Sequence, residues 1–241
     1  MARELVIGLV SEGPTDYAVI KRFIEKSLSD ASLEVDVIFD DIQPELDSTG
    51  INYERGGWSK LMAWCLRFPP ADRHSQLFNP LFNNQRPLDL LIVQLDGDVL
   101  DEYAHHCNNT PVPSLPWSAT KRGNYVEAVL KEWLWPTSSN EDLEKHVLLA
   151  TVQDTEAWLV AGLNMDIECP EETGSVDELR QITTLPVTLR FPRGKLKKEP
   201  EKWAVMASAA ANNLLHIRST CFYCDKFLNS IEAAAVKSSS P

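Results

Sequence analysis

A chain of 241 residues, 44% of them apolar and seven of them Trp, is long enough to bury a real core, as one large domain or a domain with a subdomain. Its formal charge of −12 argues against general electrostatic binding of nucleic acid, since phosphate contacts rest on Lys and Arg. Such a role would need a local basic patch, a metal or a partner; the plain consequence of the charge is solubility.

Met1-Ala2-Arg3-Glu4 leads straight into a strand-like run, so no leader is expected. No stretch approaches the roughly 18 apolar residues of a membrane span. Five scattered Cys, an odd number, fit a reducing cytoplasmic setting better than a disulfide framework. Cys221-Phe222-Tyr223-Cys224 is a lone C-x-x-C pair, so half-buried thiols are expected there rather than structural zinc.

Leu5 to Val10 is a short, β-branched apolar run that reads as a buried parallel strand. Tyr17, Ile20, Phe23, Ile24 and Leu28 fall at helical spacing, predicting a helix from about Asp16 to Ser29 that Thr15 or Asp16 can cap. Glu34 to Phe39 alternates as a second strand, and 40–57 is polar and turn-rich. Trp58 to Phe68 reads as a helix stopped by Pro69-Pro70, and 71–88 as a loop. Leu88 to Leu95 is the clearest strand of the chain, followed by a loop-like 101–118. Asn124 to Leu134 is helical, His146 to Val152 a buried strand, and Thr155 to Leu163 a short helix.

Alternation of strand and helix predicts an α/β fold with a mostly parallel sheet and right-handed crossovers. Beyond about residue 165 the pattern changes. Pro170 to Lys202 is polar, loop-rich and locally basic, Val205 to Leu215 and Thr220 to Ala235 are helical, and Lys237 to Pro241 reads as a frayed tail. The organisation expected is therefore an α/β core over 1–165, with insertions, and a C-terminal extension over 166–241 packed on it.

Two acidic motifs stand where strands should end. Val10-Ser11-Glu12-Gly13-Pro14-Thr15-Asp16 follows the first strand, and Leu95-Asp96-Gly97-Asp98 follows the third. Carboxylates at the carboxyl ends of parallel strands lie in the crevice where open α/β sheets bind ligands. Oxygen donors without nearby His or Cys suit a hard cation such as Mg²⁺, or Mn²⁺. If the strands bearing Glu12 and Asp96 are neighbours, Glu12, Asp96 and Asp98 converge, and Gly97 permits the turn between the two Asp. A cation there can orient a phosphodiester, with Glu12 as general acid or base. The competing structural explanation is an ordinary Asp-Gly turn, and a Glu stabilised beside a helix amino terminus.

These motifs resemble those of TOPRIM domains, which carry a Glu after the first strand and Asp-x-Asp after the third; the resemblance spans residues 4–110. Glu12-Gly13-Pro14-Thr15-Asp16, Gln94-Leu95-Asp96-Gly97-Asp98, Asp154-Thr155-Glu156-Ala157-Trp158-Leu159 and Phe227-Leu228 together are similar to a group of small stand-alone TOPRIM-like bacterial proteins, the domain-of-unknown-function type numbered 4276. The resemblance implies a TOPRIM-like, Mg²⁺-dependent nuclease with Glu12, Asp96 and Asp98 as both catalytic residues and metal ligands, acting in anti-phage defence with an ATPase partner. No zinc-ribbon or helicase module accompanies the motifs, so a primase or topoisomerase role is not expected. The alternative is a non-catalytic metal-binding or partner-docking subunit of such an assembly, and a homo-oligomer is compatible with either.

Glu156 is a further candidate metal ligand, and Asp154 or Thr155 a candidate cap for the helix carrying Trp158, itself expected in the core. The basic run Arg190 to Lys202, above all Arg193, Lys195, Lys197 and Lys198, is the best candidate for tracking a DNA or RNA backbone, with Lys121 and Arg122 as a smaller one. The competing explanation is a solvated loop. His105 and His106 are expected to be exposed.

Overall fold

A computed structural model describes residues 3–43, 57–80, 86–112, 117–136, 142–168, 170–173, 175–182 and 199–239. In chain order the elements are β1 (Arg3–Val10), α1 (Pro14–Asp30), β2 (Val35–Gln43), α2 (Trp58–Arg67), α3 (Pro70–Arg73), β3 (Leu90–Asp96), α4 (Leu100–Tyr103), α5 (Ala119–Leu134), β4 (His146–Thr151), α6 (Glu156–Leu163), α7 (Ser175–Gln181), α8 (Pro200–Ala211), α9 (Leu214–Thr220) and α10 (Phe222–Ser239). The four strands form one parallel sheet in the order β2-β1-β3-β4. This is the α/β class that the alternation predicts, and it is consistent with a TOPRIM-like arrangement.

Each strand separates two cores by its two-residue period. Leu5, Ile7 and Leu9 of β1 join Ile92 and Leu149 in one apolar cluster, together with α1, α6 and α8–α10. Val6 and Val10 join Leu91, Val93 and Leu95 in the other, together with α2 and α5. Both faces of β1 and β3 are therefore covered, which is why these strands read as unbroken apolar runs. Trp158 lies wholly within the first cluster, as expected, stacked on Phe227 with ring centroids 6.0 Å apart.

Several boundaries differ from those read in the sequence, each for a local reason. Helix α1 starts at Pro14 rather than Asp16, because proline is preset for the first helical position. Helix α5 starts at Ala119 rather than Asn124; its first turn is polar, but Ser118 caps it by accepting the Lys121 N–H at 3.2 Å. The single helix expected over Val205 to Leu215 is two, broken at Asn212-Asn213, where the Asn213 side chain donates to the Gly162 carbonyl at 2.7 Å. Helix α10 begins at Phe222 and continues to Ser239, through the start of the expected tail.

The expected loop over 71–88 holds α3 and a π-helical turn at His74–Phe78. Arg73 organises it. Its guanidinium is fully buried and donates to the carbonyls of Phe68 and Leu134, the last turns of α2 and α5. A cation there is favoured by the negative ends of both helices. The expected loop over 101–118 begins with α4 and a 3-10 turn at Ala104–His106.

Candidate active site

The chain passes from β1 outward to β2, then returns across β1 to β3 and β4. Connections after β1 and after β3 thus leave in opposite directions, and the carboxyl ends of β1 and β3 flank a crevice at this reversal. β1 and β3 pair directly, with Val10 opposite Val93. The condition that Glu12 and Asp96 come from neighbouring strands is met.

Glu12 is buried, and its Oε1 accepts the backbone N–H of Asp96 at 2.7 Å. In return the Glu12 N–H donates to Gln94 Oε1 at 3.0 Å. Gln94 Nε2 then donates to Asp96 Oδ1 at 2.7 Å and to Thr151 Oγ1 at 3.0 Å. Thr151, which lies opposite Asp96 on β4, donates to the same Asp96 Oδ1 at 2.5 Å. Three strand ends are thereby tied to one carboxyl. Gln94 is fully buried, and as the only polar member of β3 before Asp96 its amide holds this network together.

Asp96 has its proton affinity raised well above the usual carboxylate range. Burial is the largest cause, followed by the charges of Asp16, Glu12 and Asp98, against the favourable Thr151 bond. By exposed surface Asp96 is only half-buried, yet enough protein surrounds its carboxyl for desolvation to dominate. Asp98 is exposed at the mouth of the crevice. Glu12, Asp96 and Asp98 are thus brought into one electrostatic neighbourhood.

By sequence Asp16 closes the first acidic motif and is a possible helix cap. The structure gives it another place: it is buried in the first turn of α1, and its Oδ1 accepts from the Thr155 hydroxyl at 2.7 Å. The signal for it was the Glu12-x-x-x-Asp16 spacing, which starts in a turn and ends one helical turn later. Glu156 is also buried, and its Oε2 lies 3.3 Å from the same Thr155 hydroxyl. Glu156 therefore meets the cluster through Thr155 and Asp16. Asp154 is a cap, accepting the Ala157 N–H at 3.1 Å.

Gly97 acts differently from the expectation that it supplies an unusual backbone conformation, since its φ is not among the positive ones. What requires glycine is proximity: an added Cβ would lie 2.3 Å from the Val152 carbonyl oxygen. Its N–H donates to the carbonyls of Thr151 and Gln153, and that of Asp98 also to Gln153. The Asp-Gly-Asp turn is pinned to the end of β4. The Arg122 stem also crosses it, its Cδ 3.0 Å from that same Cβ position, which places the smaller basic candidate beside the Asp pair.

Of the remaining candidates, Arg190, Arg193, Lys195, Lys197 and Lys198 lie outside the described residues. His105 and His106 are exposed, as expected. Cys221 and Cys224 are free thiols, fully buried rather than half-buried. Burial, then the neighbouring Cys221 and Glu171, raises the Cys224 thiol well above its ordinary range, so it is ill suited to act as a thiolate ligand. A cavity of about 510 Å³ lies along the outer edge of β4 between α5 and α10, bordered by Leu148, Lys226 and Phe227. It shares no residue with the carboxylate cluster.

The donor set fits a hard divalent cation in its chemistry: all-oxygen, like-charged and crowded, so that a positive ion relieves the repulsion. Among the described residues no group of three or more His, Cys, Asp or Glu stands arranged around a common ion position. Glu12 and Asp96 each give an oxygen to protein donors. Among the described helices none is long and apolar enough to cross a membrane. Comparisons with protein-family models, curated proteins and solved structures found no match to this chain.

Proposed function

We propose that the chain is a Mg²⁺-dependent phosphodiester-cleaving enzyme of TOPRIM type, with its active site at the β1–β3 crevice. The observation that carries this reading is the crowding of Glu12, Asp16 and Asp98 around Asp96, which raises that carboxyl's proton affinity at a ligand-binding position of the sheet. A bound divalent cation supplies charge neutralisation at a phosphoryl oxygen and at the leaving oxygen. Asp96 and Asp98 are the residues to hold it, with Glu156 bearing on it through Thr155 and Asp16. Glu12, oriented by the Asp96 N–H, acts as the acid–base group. Arg122, which crosses Gly97, supports the substrate's negative charge. The nucleic-acid contacts assigned to Arg193, Lys195, Lys197 and Lys198 belong to the same proposal, as does an ATPase partner that compensates for the chain's net charge of −12. A role in anti-phage defence rests on the resemblance alone.

A second reading, a metal-binding or docking subunit without catalysis, is favoured by the engagement of Glu12 and Asp96 with protein donors. One experiment separates the two. Purified protein is incubated with Mg²⁺ or Mn²⁺ and plasmid, single-stranded DNA and transfer RNA, beside Glu12→Gln and Asp98→Asn. Cleavage lost in both variants supports the enzyme. Calorimetric Mg²⁺ binding that is lost in Asp98→Asn, without cleavage of any substrate by the wild type, supports the subunit.

A further inference from the structure

We propose that Trp58 and His106 form a stacking platform for one unpaired nucleobase beside the carboxylate crevice, so that the preferred substrate is a single strand or a frayed strand end. The inference rests on the phosphodiester reading and specifies its substrate class.

Two independent tethers hold this platform at the site. The Gly57 N–H donates to the Glu12 carbonyl at 2.7 Å, and the positive φ of Gly57, +100°, lets the chain turn there directly into α2, whose first residue is Trp58. From the other side, Trp58 meets Tyr103 edge-on, with centroids 6.2 Å apart, and the Tyr103 hydroxyl donates to the Asp96 carbonyl at 3.1 Å. The charges of Glu12, Asp96 and Asp98 all raise the Tyr103 phenol, after burial, which places that ring against the same cluster.

The platform itself is oriented and accessible. The Trp58 indole N–H donates to Glu102 Oε2 at 2.9 Å, which fixes the plane of the ring. His106 is exposed and Trp58 half-buried, and their centroids are 5.1 Å apart at an interplanar angle of 42°. That angle keeps the rings from closing face to face. Trp58 packs in part on the second apolar cluster, and the rest of its surface stays accessible beside the exposed His106.

The surrounding charge selects the ligand. Asp98, Asp101 and Glu102 are all exposed along this rim. Along this rim phosphates are repelled unless Arg122 or a divalent cation intervenes, so the rim itself attracts a strand through its bases. Stacking supplies this attraction regardless of base identity, because every base has a π face. A paired base has both faces covered by its neighbours and cannot use the platform.

The test is anisotropy binding of labelled oligothymidylate, an abasic strand of equal length and a duplex, in Ca²⁺ to support binding without turnover. The base-bearing strand is expected to bind about 5- to 100-fold more tightly than the abasic one. Trp58→Ala and His106→Ala are expected to shrink that ratio, leaving abasic binding unchanged, while Trp58→Phe retains most of it. Because wild-type protein gives the ratio and His106 is exposed, the test survives any misfolding of Trp58→Ala. Equal binding of base-bearing and abasic strands overturns the inference, and abasic binding that is lost in Asp98→Asn then still upholds the phosphodiester reading. Failure of every strand to bind the wild type overturns both.

Discussion

The Glu12 carboxylate accepts the backbone N–H of Asp96 at 2.7 Å, so the first motif acid is also the clasp between two strand ends. A glutamine oxygen can accept the same bond. Glu12→Gln is therefore expected to fold with a melting temperature close to the wild type. Removal of the acid–base group should lower cleavage about 10²- to 10⁴-fold. Paired melting curves and cleavage rates check this; retained cleavage by a folded variant removes Glu12 from the chemistry.

Asp96 makes a different prediction in chelator. Its folded carboxyl binds a proton more readily than the ordinary value of 3.8, so its stabilising share is full below that pH and is lost as pH rises through the raised value. Once ionised, the crowded carboxyl is a burden to the fold. Asp96→Asn keeps an oxygen for Gln94 and Thr151. It should be more stable than the wild type in chelator, by a margin that shrinks on acidification. Mg²⁺ should raise the melting temperature of the wild type and not of the variant.

His146 works in the opposite sense. Burial, the largest cause, lowers its imidazole from 6.5 to about 4, with Arg73 adding to this and the Asp142 carbonyl, 2.7 Å from Nδ1, opposing it. A depressed value means that its stabilising share is present above pH 6.5 and is lost as pH falls toward 4. The loss is on the order of 3 kcal/mol over that window. His146→Phe, placed beside Trp135 and Phe78, should flatten this part of the acid-unfolding profile, as followed by denaturant titration at pH 7 and pH 4.5.

Gly97→Ala should be costly although the change is one methyl group. The new Cβ meets the Val152 carbonyl at 2.3 Å, and a backbone atom cannot rotate away. A loss of about 1–3 kcal/mol is expected, typical of overpacking. Because the turn is pinned to Gln153 through both the Gly97 and the Asp98 N–H, the strain should also displace Asp98 and weaken Mg²⁺ binding, readable by calorimetry.

The parallel sheet was legible in the chain because β1 and β3 are buried on both faces, which leaves Leu5–Val10 and Leu90–Val93 as unbroken apolar runs. Glu12, Asp96 and Asp98 were legible because each follows such a run within a few residues. Asp16 was not: its burial depends on Thr155, 139 positions away, and a local reading offers only a cap. Nor was Arg73, which joins the nearby Phe68 carbonyl to that of Leu134, 61 positions away. Which segments form strands follows from local pattern, because periodicity and apolar runs are properties of short windows. That β3 lies beside β1 follows only from long-range pairing. That choice of strand order sets Asp96 against Glu12, puts Trp58 at their rim, and turns separate acidic turns into one crowded electrostatic site.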